Sequence, residues 1–232
     1  MNVFSVDFAL LLYDDFDGSP IADANVVFLS GDLPVTPLLK RDGYYVFRGA
    51  SGSVSDLLIT RPHYLPKRLL IEKSGLDPGF PTVRARLFRK NDNSFSDCEW
   101  LTGQCPPECE VLAFWEDDQL KLKAHEDDPA KLSIQGFATA KLVGRRYACD
   151  RQRGETFCIA EMLSPNLFVA DRPLKLPAGR AQPLVQAYLS RSGPGGCYSI
   201  PVEPGRSNRM KATVCRGKED EKWVPVPATA DK

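Results

Sequence analysis

The side chains best suited to chemistry are few and lie mostly in the second half of the chain. All seven cysteines come after residue 90, and the only histidines are His63 and His125. Cys105 and Cys109, with Cys98 upstream, form a local group, but C-x3-C is not the C-x2-C knuckle of most structural zinc sites and no second knuckle follows. No metal ligands are therefore assigned. These cysteines read as small apolar groups or a local disulfide in a loop pinned by Pro106 and Pro107. Cys149 and Cys158 flank an expected hairpin and could face each other across strands, while Cys197 and Cys215 are expected on neighbouring strands. A cysteine nucleophile needs a nearby imidazole base with a third group to orient it. His63 sits in a Pro-His-Tyr turn, and His125 in an acidic loop from Glu116 to Asp128, where it reads as a solvated side chain.

Carboxylates cluster at Asp14, Asp15 and Asp17, at Glu116, Asp117 and Asp118, and at Glu126, Asp127 and Asp128. Paired carboxylates serve glycoside acid/base chemistry or calcium, but the spacing of a helix–loop–helix calcium site is absent, and such residues form turns and solvated faces. Gly193–Gly196 lacks the Lys-Ser/Thr sequel of a phosphate loop. No catalytic or cofactor-binding residue is assigned, and no cofactor is expected. Trp100, Trp115 and Trp223 remain as candidate interface residues, because each stands beside a charged neighbour and tryptophan can anchor a protein interface or stack on a sugar ring.

These residues must be positioned by strands. Phe4, Val6, Phe8, Leu10 and Leu12 alternate, which predicts a strand near the N-terminus. Asp14–Pro20 supplies turn chemistry, and strands follow at 24–29, 44–47, 57–60, 67–72 and 83–88. Nineteen prolines and seventeen glycines recur along the chain, and no window holds an apolar helical face for three turns; the best attempt, 181–189, is interrupted by Pro183. The fold class expected is all-β: an antiparallel sandwich over 1–89, a polar connector over 90–109, a small β module over 110–178, and a hairpin module over 179–232 that could be part of the preceding one. In the second region strands are predicted at 110–115, 120–123, 132–136, 141–149, 157–163, 184–190, 196–202, 210–215 and 222–226, with Gly193–Gly196 as a hairpin connection.

Three stretches carry a resemblance: Asp17–Phe28 (DGSPIADANVVF), Lys40–Phe47 (KRDGYYVF) and Leu58–Tyr64 (LITRPHY). Together they resemble the carboxypeptidase-regulatory or transthyretin-like β-sandwich family, whose members show in this order a G-x-P stretch leading into a core strand, a D-G-x-[YF] stretch and a late P-G-Y stretch. The resemblance covers about the first ninety residues and implies fold, not activity. One departure is His63 where the family has Gly, so a different turn is expected there.

Thirty basic and thirty acidic residues leave a formal net charge of +0, so no global field favours nucleic acid. No apolar run is long enough to span a bilayer as a helix, and membrane insertion is not expected. The N-terminus lacks a basic n-region, which points to a cytoplasmic protein or export without a classical signal, with reduced thiols. The functional expectation is a non-enzymatic structural or adaptor subunit that binds other proteins through β surfaces, as in a phage-tail-like or secretion-type assembly. The rival expectations are a carbohydrate-binding protein and an enzyme with a domain-junction site near Asp117 and His125.

Overall fold

Short apolar runs separated by Gly, Pro and Asp leave the backbone little choice but strand pairing, and that is what the chain adopts. A computed structural model describes residues 6–49, 54–136, 140–149, 155–176, 180–207, 212–217, 224–226 and 228–231. The described residues are all-β apart from two single 3-10 turns. Among them no helix is long and apolar enough to cross a membrane. The chain divides into two compact units, 1–90 and 91–232.

The first unit is a sandwich of two four-stranded sheets. One holds β1 (Phe8–Asp14), β4 (Leu38–Leu39), β5 (Tyr45–Phe47) and β8 (Thr82–Leu87) in the order β4-β5-β1-β8. The other holds β2 (Val27–Ser30), β3 (Leu33–Val35), β6 (Val54–Thr60) and β7 (Lys67–Glu72) in the order β3-β2-β6-β7. Phe28 of β2 meets Tyr45 and Phe47 of β5 edge-on, with ring centroids 5.0 and 5.2 Å apart, and so joins the sheets through one aromatic cluster. Phe8, Leu10, Leu12, Ile59 and Leu87 complete the core. Val6 is 45% exposed and precedes the first strand; Phe4, expected on the same apolar face, lies outside the described residues.

β1 and β8 pair in parallel, from Ala9↔Thr82 to Asp14↔Leu87, although six strands separate them in sequence. Parallel neighbours cannot be joined by a tight turn, so this pairing closes the unit only after everything between has folded back. A buried ion pair locks the closure. Arg89, just beyond β8, donates from Nε to Asp14 Oδ2 at 2.7 Å, and the Tyr64 hydroxyl donates to the same oxygen at 2.8 Å. Asp14 Oδ1 accepts the Phe16 N–H at 2.9 Å. The Arg89 guanidinium also lies 4.4 Å from the Phe16 ring centroid. The turn that delivers Tyr64 has His63 at φ +67°, the left-handed conformation that favours glycine, and its carbonyl accepts the Lys90 N–H. His63 thus holds a backbone conformation that glycine adopts more readily than any other residue.

In the second unit the expected boundaries shift. Within 90–109, expected as a connector, Glu99–Gln104 forms a strand, β9. β9 is the centre of a three-stranded sheet between β16 (Cys197–Val202) and β19 (Ala228–Asp231). The runs expected as two strands at 110–115 and 120–123 are one fifteen-residue strand, β10 (Glu110–Ala124), with an irregular register between Glu116 and Lys121. β11 (Lys131–Gln135), β12 (Arg146–Ala148), β13 (Thr156–Ser164), β14 (Leu167–Ala170) and β15 (Gln182–Arg191) follow. Their order, β11-β14-β13-β12-β15-β10, is closed by a further pairing of β10 with β11, making a six-stranded antiparallel barrel. All six strands contribute to one buried cluster, including Leu122, Ile134, Phe168, Phe157, Tyr147 and Leu184, and this fills the interior. β17 (Ala212–Arg216) and β18 (Val224–Pro225) extend the sheet outward from β10. The segment 181–189, the best helical attempt in the sequence, is the barrel strand β15.

Removing Arg89 leaves Asp14 buried without its counter-charge, so Arg89→Ala is expected to cost the first unit about 3–5 kcal/mol. All three tryptophans lie in the second unit. In urea titrations of the full chain the loss should appear as a far-ultraviolet circular dichroism transition at lower urea, while the tryptophan fluorescence transition stays in place. Coincident shifts in both signals, or none, would show that the pair does not stabilise this unit selectively.

Candidate functional site

Two places in the second unit bring chemically capable side chains together, and the first of them keeps the expected Cys105–Cys109 pair with a different third member. The first lies where β9 passes into β10. This loop carries Cys105-Pro106-Pro107-Glu108-Cys109 and is bonded along its length to the loop that joins β15 to β16. The Cys105 N–H donates to the Gly196 carbonyl at 2.9 Å, and the Cys109 N–H donates to Ser192 Oγ at 2.8 Å. Ser192 Oγ donates to the Pro106 carbonyl at 2.9 Å, and the Ser192 N–H donates to the Cys109 carbonyl, also at 2.9 Å. Gly196 has φ +79°, and a Cβ there would sit 2.3 Å from the Cys105 carbonyl oxygen, so only glycine permits this approach.

The sulfurs of Cys105 and Cys109 meet that of Cys215, and all three Sγ atoms lie within 4.8 Å of one another. Cys215 arrives through the register of β17 on β10, where it stands opposite Val111, two residues beyond Cys109. Cys109 and Cys215 are buried and Cys105 is half-buried. Burial, followed by the two neighbouring thiols, pushes the Cys215 thiol up to about 11.

The trio corrects the expected cysteine groupings. Cys98 is on the far side of β9 and is not a member. Cys197 and Cys215 are not on neighbouring strands: β16 pairs with β9, and β17 pairs with β10 and β18. Cys158 stands opposite Arg146, with Cys149 past the end of β12, so these two do not oppose each other. The Gly193–Gly196 turn is present, but it carries the chain from one sheet into another and does not form a hairpin.

The second place is an arginine cluster around the β10–β15–β12 rung. Register aligns Trp115, Gln186 and Tyr147 across these strands. Arg206 donates from Nη1 to Gln186 Oε1 at 2.7 Å and to the Tyr188 hydroxyl at 3.1 Å, and its guanidinium lies 5.0 Å from the Trp115 ring centroid. Glu203 binds both Arg206 and Arg145. The Tyr147 hydroxyl is buried and finds no hydrogen-bond partner among the described residues, and burial raises its pKa. The arrangement is a self-satisfied salt-bridge network whose cation already stacks on the tryptophan.

The candidate interface tryptophans separate accordingly. Trp100 is 8% exposed and paired into β9 opposite Pro201. Trp115 is half-buried, with Arg206 against its ring. Trp223 lies outside the described residues. His125 is half-buried, and its Nε2 shares a 2.8 Å hydrogen bond with Ser133 Oγ across the β10–β11 pair. That resembles a nucleophile–base contact, but among the described residues no carboxylate is bonded to the other ring nitrogen. Comparison of the chain with known protein families, with curated proteins and with solved structures finds no match.

Two outcomes are expected. Tyr147→Phe removes a buried hydroxyl that has no partner, and should raise stability by about 1–2 kcal/mol in urea denaturation. A loss of that size would show that the hydroxyl is bonded in solution. Gly196→Ala combines a left-handed backbone with a carbonyl clash and should cost at least about 1–2 kcal/mol, whereas Gly195→Ala, with open space around its Cβ position, should be tolerated. Equal effects of the two substitutions would remove the argument for close approach.

Proposed function

We propose that this chain is a non-enzymatic adaptor or structural subunit that binds another protein through the β surface of its first unit. The observation that carries this reading is where the exposed large hydrophobics fall. Of the nine among the described residues, Val6, Val27, Leu33, Leu38, Leu39, Leu70 and Phe80 belong to the smaller first unit, and only Leu163 and Val224 to the second. Leu33, 74% exposed, is on the edge strand β3, and Leu38 and Leu39 form the edge strand β4 of the facing sheet. Only Thr36 and Pro37 separate β3 from β4, so the three leucines share one flank of the sandwich. Exposed apolar residues gathered this way mark interaction surfaces.

The opposite edges are mixed: β7 carries Lys67 and Arg68 beside the exposed Leu70, and β8 carries Arg84 and Arg86. Those charges resist unwanted strand pairing, and the flank that gathers three exposed leucines against one is the favoured docking side. Pro34 on β3 and Pro37 beside β4 lack the N–H that an added strand would need, so contact through side chains is favoured over strand addition. The resemblance of residues 17–64 to transthyretin-like sandwiches supports the same reading, since such modules commonly accompany other domains. A component of a phage-tail-like or secretion-type assembly fits this chemistry. Carbohydrate binding is less favoured, because Trp100 is buried and Trp115 already stacks with Arg206.

The test is a pull-down from host lysate with the full chain and a Leu33→Glu/Leu38→Glu variant, followed by quantification of retained protein. Exposed substitutions of this kind change stability by about 0.5 kcal/mol or less, so both proteins should fold. The wild type should retain a stoichiometric protein partner and the variant at least tenfold less. Equal retention, or no stoichiometric partner for the wild type, would sink the proposal. A serine-directed fluorophosphonate should leave Ser133 unlabelled; labelling there would establish a reactive serine and favour an enzyme.

A further inference from the structure

We propose that Cys105, Cys109 and Cys215 form a three-thiolate site for one thiophilic d10 metal ion, Zn2+ or Cu+, that fastens the β9–β10 loop to strand β17. The site goes beyond the docking function and lies entirely within the second unit. Three sulfurs drawn from positions up to 110 residues apart in sequence converge within 4.8 Å of one another. With metal–sulfur distances of about 2.3 Å, sulfurs sharing one ion stand about 3.8 Å apart. Contraction of at most about 1 Å per pair closes the set, and small χ1 rotations of the cysteines supply that.

The backbone holds the trio in place without the ion. Both ends of the Cys105–Cys109 loop are bonded to the Ser192–Gly196 segment, and Ser192 binds the loop at Pro106 and Cys109. Cys215 is fixed by its position in the β10–β17 ladder. Such preorganisation is what a soft-metal site requires, since thiolates select Zn2+ and Cu+ over hard cations. The half-buried Cys105 gives the ion a route in, while Cys109 and Cys215 are shielded from water.

Binding is coupled to proton release. Three buried thiolates without a cation would be prohibitively unfavourable, so the empty site holds protons that the metal must displace. The resulting metal–thiolate group is anionic. One rung along β10, Glu110 is aligned with both Arg191 and Arg216 and bonded to Arg216 at 2.8 Å, so that with Glu108 in the loop the fixed charges around the site balance. Among the described residues no fourth His, Cys, Asp or Glu joins the trio. The coordination is therefore trigonal for Cu+, or tetrahedral for Zn2+ with an exchangeable fourth position.

The test uses the full-length reduced protein titrated separately with Zn2+ and with Cu+ against chromophoric competitors, with Co2+ as a spectroscopic substitute for Zn2+. Saturation at one ion per chain, and thiolate-to-metal charge-transfer absorption with Co2+ in the Zn2+ arm, are expected. Cys105→Ser and Cys215→Ser should each weaken binding at least a hundredfold, while Cys98→Ser and Cys197→Ser bind as the wild type does. Thermal scans guard against misfolding: the metal should raise the melting temperature of the wild type and of Cys98→Ser but not that of Cys105→Ser. Affinity should fall at least tenfold for each pH unit between pH 8 and 6, because at least one proton leaves per ion bound. The proposal fails if neither ion binds at one per chain, if Cys98→Ser weakens binding as much as Cys215→Ser, or if non-reducing peptide mapping of the protein as isolated finds any of the three sulfurs in a disulfide.

Discussion

Strand β10 is the constraint on which the second unit depends. Its first half is the seam between β15 and β17, and after the irregularity between Glu116 and Lys121 its second half turns to pair with both β15 and β11. A straight strand of this length would leave one end of the sheet open. By changing direction once, β10 closes six strands into a barrel and still carries β17 and β18 on its outer side. Closure removes two edges that would otherwise have to be protected, and the interior can then be filled from every strand. The same geometry fixes the cysteine trio: Cys109 leads into β10, and Cys215 lies on the neighbour that pairs with its first half.

The first unit solves closure differently. It has four edges, two per sheet, and joins its first and last strands in parallel. Asp14, at the end of β1, collects donors from Phe16, Tyr64 and Arg89, and so binds the first turn, the β6–β7 connection and the end of β8 to one carboxylate. Burying an ion pair is costly, and its value here lies in specificity: an uncompensated Asp14 would penalise any register in which Arg89 or Tyr64 is misplaced. In the exposed edges that remain, charges stand on β7 and β8, while three exposed leucines gather on β3 and β4.

How much of this was legible in the sequence follows from the range of the interactions. Alternation and turn chemistry are local, so β7 was predicted residue for residue at 67–72, and β1, β5, β6 and β8 were found to within a few residues. The all-β class followed from the same signals. The misses are pairings whose signal is non-local. β9 was hidden in a polar stretch because half of its side chains face outward, and it is a strand only because β16 and β19 flank it. β3 and β4 are short and interrupted by prolines, a pattern that reads as loop until an adjacent strand is known. The fusion of 110–115 with 120–123 was concealed by three polar residues, Glu116, Asp117 and Asp118, at the bend.

The same reasoning explains why spacing groups Cys105 with Cys109 but not with Cys215. Knuckle motifs are recognisable because one tight turn supplies two ligands, and a second turn repeats the pattern. Here the loop supplies Cys105 and Cys109 with one extra residue between them, and the third sulfur comes from a strand aligned by sheet register more than a hundred residues later. Cys98 was the nearer partner in sequence, but an extended strand carries it away from Cys105 at about 3.3 Å per residue. Register therefore outweighs proximity in the chain, and Gly196 shows how it is enforced: the absence of one Cβ lets two loops touch, and the sulfurs are brought together as a consequence of that contact.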